Sequence, residues 1–297
     1  MLIARQLAAC RRSLCSAAKP PVSPDPTLCF GAGLAGGGGG SLVGIGGGAI
    51  MVPIMTGYAR MTQHQAVGTS SAAVAGTGLA AIASFGSAGA VDFVAAGALA
   101  STAMLTARLG ARFTKSFSPV ALARAFACFQ CAVAPMVPLK AELVRRSKAS
   151  SDGQAMPTPT GSGGSEEEGM MVSRRTQLFQ LAVVGSAAGF ASGMFGIGGG
   201  VVLTPALCLL TDMPHACVLG TTLASMVPPS LVSAGTHAQI GNVLGAVVAP
   251  LVAGSAIGAF CGGQLAVRLP EEPLQWGFAI FCLWSGGSKL WSLRGKV

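Results

Sequence analysis

An all-α membrane protein is what the sequence predicts, with about eight transmembrane runs in two repeated four-run units whose helices are broken by glycine. Three observations predict it. Of the 297 residues, 51% are hydrophobic and only 10% charged, where a soluble domain carries roughly 25% charged. The mean hydropathy is +0.63. The pentapeptide Gly-Ile-Gly-Gly-Gly occurs twice, at Gly44–Gly48 and Gly196–Gly200, each time followed by a proline, Pro53 and Pro205.

The duplication extends beyond the pentapeptide. Gly44 and Gly196 are 152 residues apart, and the pairs Gly68/Gly220, Thr69/Thr221, Gly89/Gly241, Val91/Val243 and Gly110/Gly262 keep that offset without a gap. Adjacent glycines weaken a helix and the following proline removes a further backbone donor. Inside a bilayer such a break persists only where the freed amides face protein, water or a ligand.

The units follow in order. Residues 1–27 bear Arg5, Arg11, Arg12 and Lys19 with no acid before Asp25, the pattern of an organellar transit peptide rather than a secretory signal. A mitochondrial membrane is the first expectation, a plastid membrane the second and the plasma membrane the alternative. Residues 28–139 form the first unit, with apolar runs at 28–58, 66–88, 91–114 and 118–139. A continuous helix of the first run's length would overshoot a roughly 30 Å hydrocarbon core by about half, leaving room for the break. Residues 140–176, rich in Ser, Gly, Pro and charge, are expected as a disordered linker. The second unit, 177–291, has runs at 177–211, 215–236, 243–267 and 272–291, with a break at Pro228-Pro229; residues 292–297 form a short basic tail. If every run crosses, the units have the same orientation; if the glycine-broken runs are re-entrant, the units are inverted.

The formal charge of +9 is dispersed, which argues against nucleic acid as a partner; the lipid bilayer is the partner that the composition implies. Self-association into a homo-oligomer is compatible with the sequence. Gly31–Gly36 spells GxGxxG, but a dinucleotide fold needs an acid about 20 residues on, and the next one is Asp92. An enzyme is not expected, nor a cofactor. Cys128 and Cys131 spell CxxC without a second pair, and no carboxylate or cysteine is spaced beside His64, His215 and His237 as a ligand set, so no metal site is expected.

Candidate chemistry lies in three places. The loop glycines Gly44, Gly46, Gly47, Gly48 and Gly196, Gly198, Gly199, Gly200 could offer backbone N–H groups to an anion, with no Cβ in the way; close helix packing is the competing explanation. The hydroxyl clusters Thr69, Ser70, Ser71 and Thr221, Thr222, Ser225 follow one span later and could supply neutral donors, or could bond their own helix backbone. His237 is the titratable candidate nearest the second cluster. Arg124 is expected either inside the bundle or snorkelling at a helix end.

The frame Ser192-Gly193-x2-Gly196-Ile197-Gly198-Gly199-Gly200-x4-Pro205, with Leu219-Gly220-Thr221-Thr222 and Gly241, resembles the sulfite exporter TauE/SafE family. The first unit carries the same frame with Val52-Pro53 and Val67-Gly68-Thr69-Ser70-Ser71. The resemblance implies a multi-pass permease for small sulfur-containing anions such as sulfite, sulfonates or sulfoacetate. The residues alone leave an anion channel and a non-transporting structural membrane protein as alternatives. The first unit departs from the frame at Gly36–Gly40, where five consecutive glycines replace the more varied approach of the second unit.

Overall fold

A computed structural model describes residues 25–135, 166–211, 213–269 and 271–294. The expected leader, up to residue 24, lies outside the described residues, as do positions 136–165 of the linker region. Among the described residues there are helices and no strands. In chain order they are α1 (Pro26–Val43), α2 (Gly48–Gly57), α3 (Gln63–Ser87), α4 (Phe93–Phe113), α5 (Pro119–Val133), α6 (Glu166–Phe195), α7 (Gly200–Leu210), α8 (His215–Ser225), α9 (Val227–Ile240), α10 (Gly245–Ala266) and α11 (Glu271–Ser292).

Among the described residues, four stretches are long and apolar enough to cross a membrane: Gln63–Ser87, Phe93–Ser116, His215–Ile240 and Gly245–Ala266. The first and third are the more buried, so α3 and α8–α9 form the interior. Helices α4, α10 and α11 present Phe93, Val94, Leu105, Phe260, Ile280 and Trp284 outward, an apolar face suited to lipid. At 10 and 11 residues, α2 and α7 reach only about 15–17 Å, half of a hydrocarbon core.

The elements start where local chemistry directs. Thr62 and Gln65 form a reciprocal capping box at α3, and the Asp92 carboxylate accepts from Val94 and Ala95 N–H at α4. Ser118 caps α5, with Pro119 as its first residue. Proline suits that position because its missing N–H has no partner there in any helix. Corresponding helices begin at the sequence offset of 152: Gly48 and Gly200, Gln63 and His215, Phe93 and Gly245, Pro119 and Glu271.

Two helices extend through stretches of low helix propensity or high polarity. Helix α1 runs through Gly36–Gly40 without a break. Packing overrides propensity here: a Cβ on Gly36, Gly37 or Gly40 would collide with Met51, Ser255 or Gly47, so only glycine lets α1 lie this close. Helix α6 starts at Glu166, inside the stretch expected as linker. Arg124, left between two positions by the sequence, lies on the exposed side and donates to Leu293 O at 3.1 Å.

The most extensive packing is between halves of the chain, α1 on α10 and α4 on α6. Small residues make both seams. Gly33 and Gly37 meet Leu251 and Ser255, while Gly185 and Gly189 meet Leu99 and Ala103. Without a hydrophobic force between helices in lipid, such close backbone approach supplies much of the association energy. Gly37→Ala should therefore cost about 1–3 kcal/mol, because the Cβ meets a backbone carbonyl that cannot yield. Gly31→Ala, with nothing within 4 Å, should be neutral or stabilise by about 0.5–1 kcal/mol. Thermal midpoints in detergent would separate the two variants. Because the seams join the halves directly, cleavage at a protease site inserted near Ser162 should leave both fragments co-purifying in mild detergent.

Candidate functional site

The two glycine loops are left-handed turns at the ends of α1 and α6. Gly44, Gly46 and Gly47 have φ of 76°, 83° and 80°, and Gly196, Gly198 and Gly199 have 66°, 85° and 78°. Such angles strain any residue with a Cβ. Each loop reverses the chain so that a short helix, α2 or α7, starts deep in the protein.

The loops meet. A Cβ on Gly48 would strike Gly196 O and lie 2.5 Å from Ile197 Cα; one on Gly200 would lie 2.6 Å from Gly44 O. The N-termini of α2 and α7 are thus held against the opposite loop. The first N–H groups of a helix have no acceptor within it; Ile50 N and Val202 N bond Gly47 O and Gly199 O, and the residues that bear the other first amides, Gly48, Ala49, Gly200 and Val201, are buried.

The hydroxyls take separate parts. Ser70 Oγ donates to Gly196 O at 2.9 Å, tying α3 to the second loop. Thr204 Oγ1 donates to Gly44 O at 2.7 Å and ties α7 to the first. Thr69 and Thr221 do not join the loops. Thr69 Oγ1 accepts from Leu244 N at 3.3 Å and Thr221 Oγ1 from Asp92 N at 2.9 Å, so each secures the start of a helix in the opposite half. Ser71 Oγ bonds Val67 O and Ser233 Oγ, and Ser225 Oγ returns to Thr222 O of its own helix. Thr222 is fully buried, and its hydroxyl has no hydrogen-bond partner.

His237 is buried against the end of α6 that leads into the second loop. Its Nε2 lies 2.9 Å from Gly193 O, and Asn242 Nδ2 lies 3.4 Å from its Nδ1. A carbonyl only accepts, so Nε2 carries the hydrogen and Nδ1 faces the amide as an acceptor. Both nitrogens are occupied by structure, which makes His237 a brace between α9 and α6. His64 is 3.1 Å from Thr114 O, and His215 is the first residue of α8. Cys128 and Cys131 are free thiols.

Three residues at the crossing have no signal in the glycine and hydroxyl motifs. Thr204 precedes Pro205 but belongs to no cluster. Met226 is fully buried between the loops, and Val74 packs on Gly198. Their spacing, 74 and 226, follows the same offset as the glycines, which was the available clue.

With this geometry in view, comparison with known proteins gives one consistent result. The family model described as Sulfite exporter TauE/SafE matches residues 1–137 and 141–288. The chain belongs to the sulfite exporter TauE/SafE family. It is therefore a multi-pass membrane protein of a transporter family. A "Probable membrane transporter protein" of Haemophilus influenzae is 36% identical over 104 residues, 33% of this chain and 39% of that protein. One of the same description from Xylella fastidiosa is 35% identical over 81 residues, 27% of this chain and 31% of that protein. The chain thus aligns with between about a third and two-fifths of the length of these relatives. No solved structure matches it.

The hydroxyl assignments make a paired prediction for this TauE/SafE member. Ser70→Ala leaves Gly196 O without its side-chain donor and should cost about 1 kcal/mol. Thr222→Val deletes a buried hydroxyl that has no partner while keeping its shape, and should be neutral or stabilising by about 1 kcal/mol. Thermal unfolding of the two purified variants beside the wild type checks both signs.

Proposed function

We propose that the protein is a permease for small sulfur-containing oxyanions such as sulfite or organosulfonates, and that the crossing of the two glycine loops is where the anion binds. The observation that carries this reading is the convergence of two helix N-termini, at Gly48 and Gly200, on one buried place. Helix N-termini present unpaired N–H groups and a positive dipole end, the ordinary means of holding an anion without a buried cation. The unpaired Thr222 hydroxyl one span later is a neutral donor left over by the fold. The family name supports a sulfur oxyanion as the class of substrate.

We read the architecture as two repeated four-run units, about eight runs in all. Equal helix starts and equal loop angles at the 152-residue offset support the reading. The basic, acid-free start of the chain supports an organellar membrane. A second reading, in which the glycines serve packing alone, is favoured by the backbone atoms that a Cβ on Gly48 or Gly200 would meet.

Flux in proteoliposomes separates the readings. Gly198→Val should lower sulfite flux and the yield of folded protein together, because its side chain meets a left-handed φ and the space held by Met226 Cε and Val74 Cγ1. Gly46→Val should behave alike. Thr222→Val should lower flux without lowering stability. If the glycine variants fail to accumulate and Thr222→Val transports normally, packing is the whole role of the loops.

A further inference from the structure

We propose that Met226 is the size gate of the loop crossing: its thioether fills the space between the two loops, and its displacement sets how large an anion can lie there. The proposal rests on the anion-site reading above.

Met226 Cε occupies the place that a methyl on Gly46 would take, and also the place of a methyl on Gly198. Its Sδ lies 2.8 Å from where a Cβ on Gly200 would stand and 3.4 Å from one on Gly46. One side chain therefore covers backbone from both loops. It is fully buried.

The backbone at Met226 is a weak joint. It separates α8 from α9 with φ −80° and ψ −17°, and Val227-Pro228-Pro229 follows. Two successive prolines lack the N–H groups that would bond the carbonyls of Ala224 and Ser225, so the helix is held there by fewer hydrogen bonds. Met226 N to Thr222 O at 3.2 Å and Ser230 N to Met226 O at 3.1 Å remain. Methionine adds three rotatable bonds and a polarizable sulfur that adapts to irregular space.

The corresponding position on the unbroken side is Val74, inside α3. Its Cγ1 approaches the Cβ position of Gly198. A β-branched residue on a continuous helix is stiff. The crossing thus has one fixed wall and one movable plug. Thr222 is four residues before Met226, which puts the unpaired hydroxyl on the same helix face as the plug. Swinging the thioether aside would uncover glycine backbone from both loops next to that face.

The test compares fluxes of sulfite, methanesulfonate and the longer sulfoacetate in proteoliposomes holding wild type, Met226→Ala, Met226→Val or Met226→Phe. Shortening the plug should raise the sulfoacetate-to-sulfite flux ratio about tenfold, the scale on which a pocket discriminates added carbon groups. Met226→Val, which installs the residue of the corresponding position, should shift the ratio in the same direction by less. Met226→Phe should lower flux of all three anions. The ratio is taken within one preparation, so it does not depend on how much protein folds, and Met226→Val serves if the alanine variant does not accumulate. An unchanged ratio in Met226→Ala, or in Met226→Val should that be the variant that folds, would overturn the gate while leaving the anion site standing. If wild type moves none of the three anions, the anion-site reading itself fails and the gate with it.

Discussion

The structure depends on the contact of two backbones that carry no side chains. Gly48 lies against Gly196 and Ile197, and Gly200 against Gly44 and Ile45. Six glycines at φ between 66° and 85° turn the chain at this contact. A Cβ on any of them is penalised twice, by the left-handed angle and by the atoms it would meet. Everything around the crossing follows from that constraint. Helices α1 and α6 must end there, α2 and α7 must begin there, and α3 and α8 must lie close enough for Ser70 and Leu219 to reach the loops.

A second constraint is polar satisfaction in an apolar interior. The bilayer offers no water to a broken helix, so freed groups must find partners within the protein. The halves of the chain supply them for each other. Ser70 serves Gly196, Thr204 serves Gly44, Thr69 serves Leu244 and Thr221 serves Asp92. His237 serves Gly193, with Asn242 holding its other nitrogen. The four hydroxyl bonds cross between halves, so each half finishes the other's helix ends, while the His237 bonds stay within the second half. Thr222 stands outside this exchange. The buried hydroxyls of Ser41, Ser230 and Ser285 likewise lack a partner, each at a cost in stability.

Helix pairing and site geometry share the same resource, which is glycine. In α1 the residues Gly33 and Gly37 serve the seam with α10, while Gly36 and Gly40 leave room for Met51 and the loop at Gly47. One helix thus packs outward and inward through alternate glycines of a single run. This is why five consecutive glycines remain helical here: the propensity cost of roughly 1 kcal/mol each is offset by close approach on two faces.

The sequence by itself determined the helical membrane class, the two glycine breaks, the proline break after Met226 and the 152-residue correspondence. All are local or periodic: they depend on hydropathy, on the missing Cβ and on the missing proline N–H, which act wherever the residue sits. The glycines and the Ser70 and Thr222 hydroxyls were legible as a candidate site because the motif repeats. The division of labour among the hydroxyls was not. Thr69 and Thr221 look the same in sequence as Ser70 and Thr222, and only the approach of α10 and α4 turns the first pair into helix anchors. Similarly, Met226 and Thr204 carry no motif, and nothing in the sequence pairs His237 with Gly193 and Asn242. The extent of α1 and α6 also needed the fold, since tight packing rescues a glycine run that propensity alone would break. Contacts between residues more than a hundred positions apart decide these roles, and a linear pattern does not encode which partner arrives.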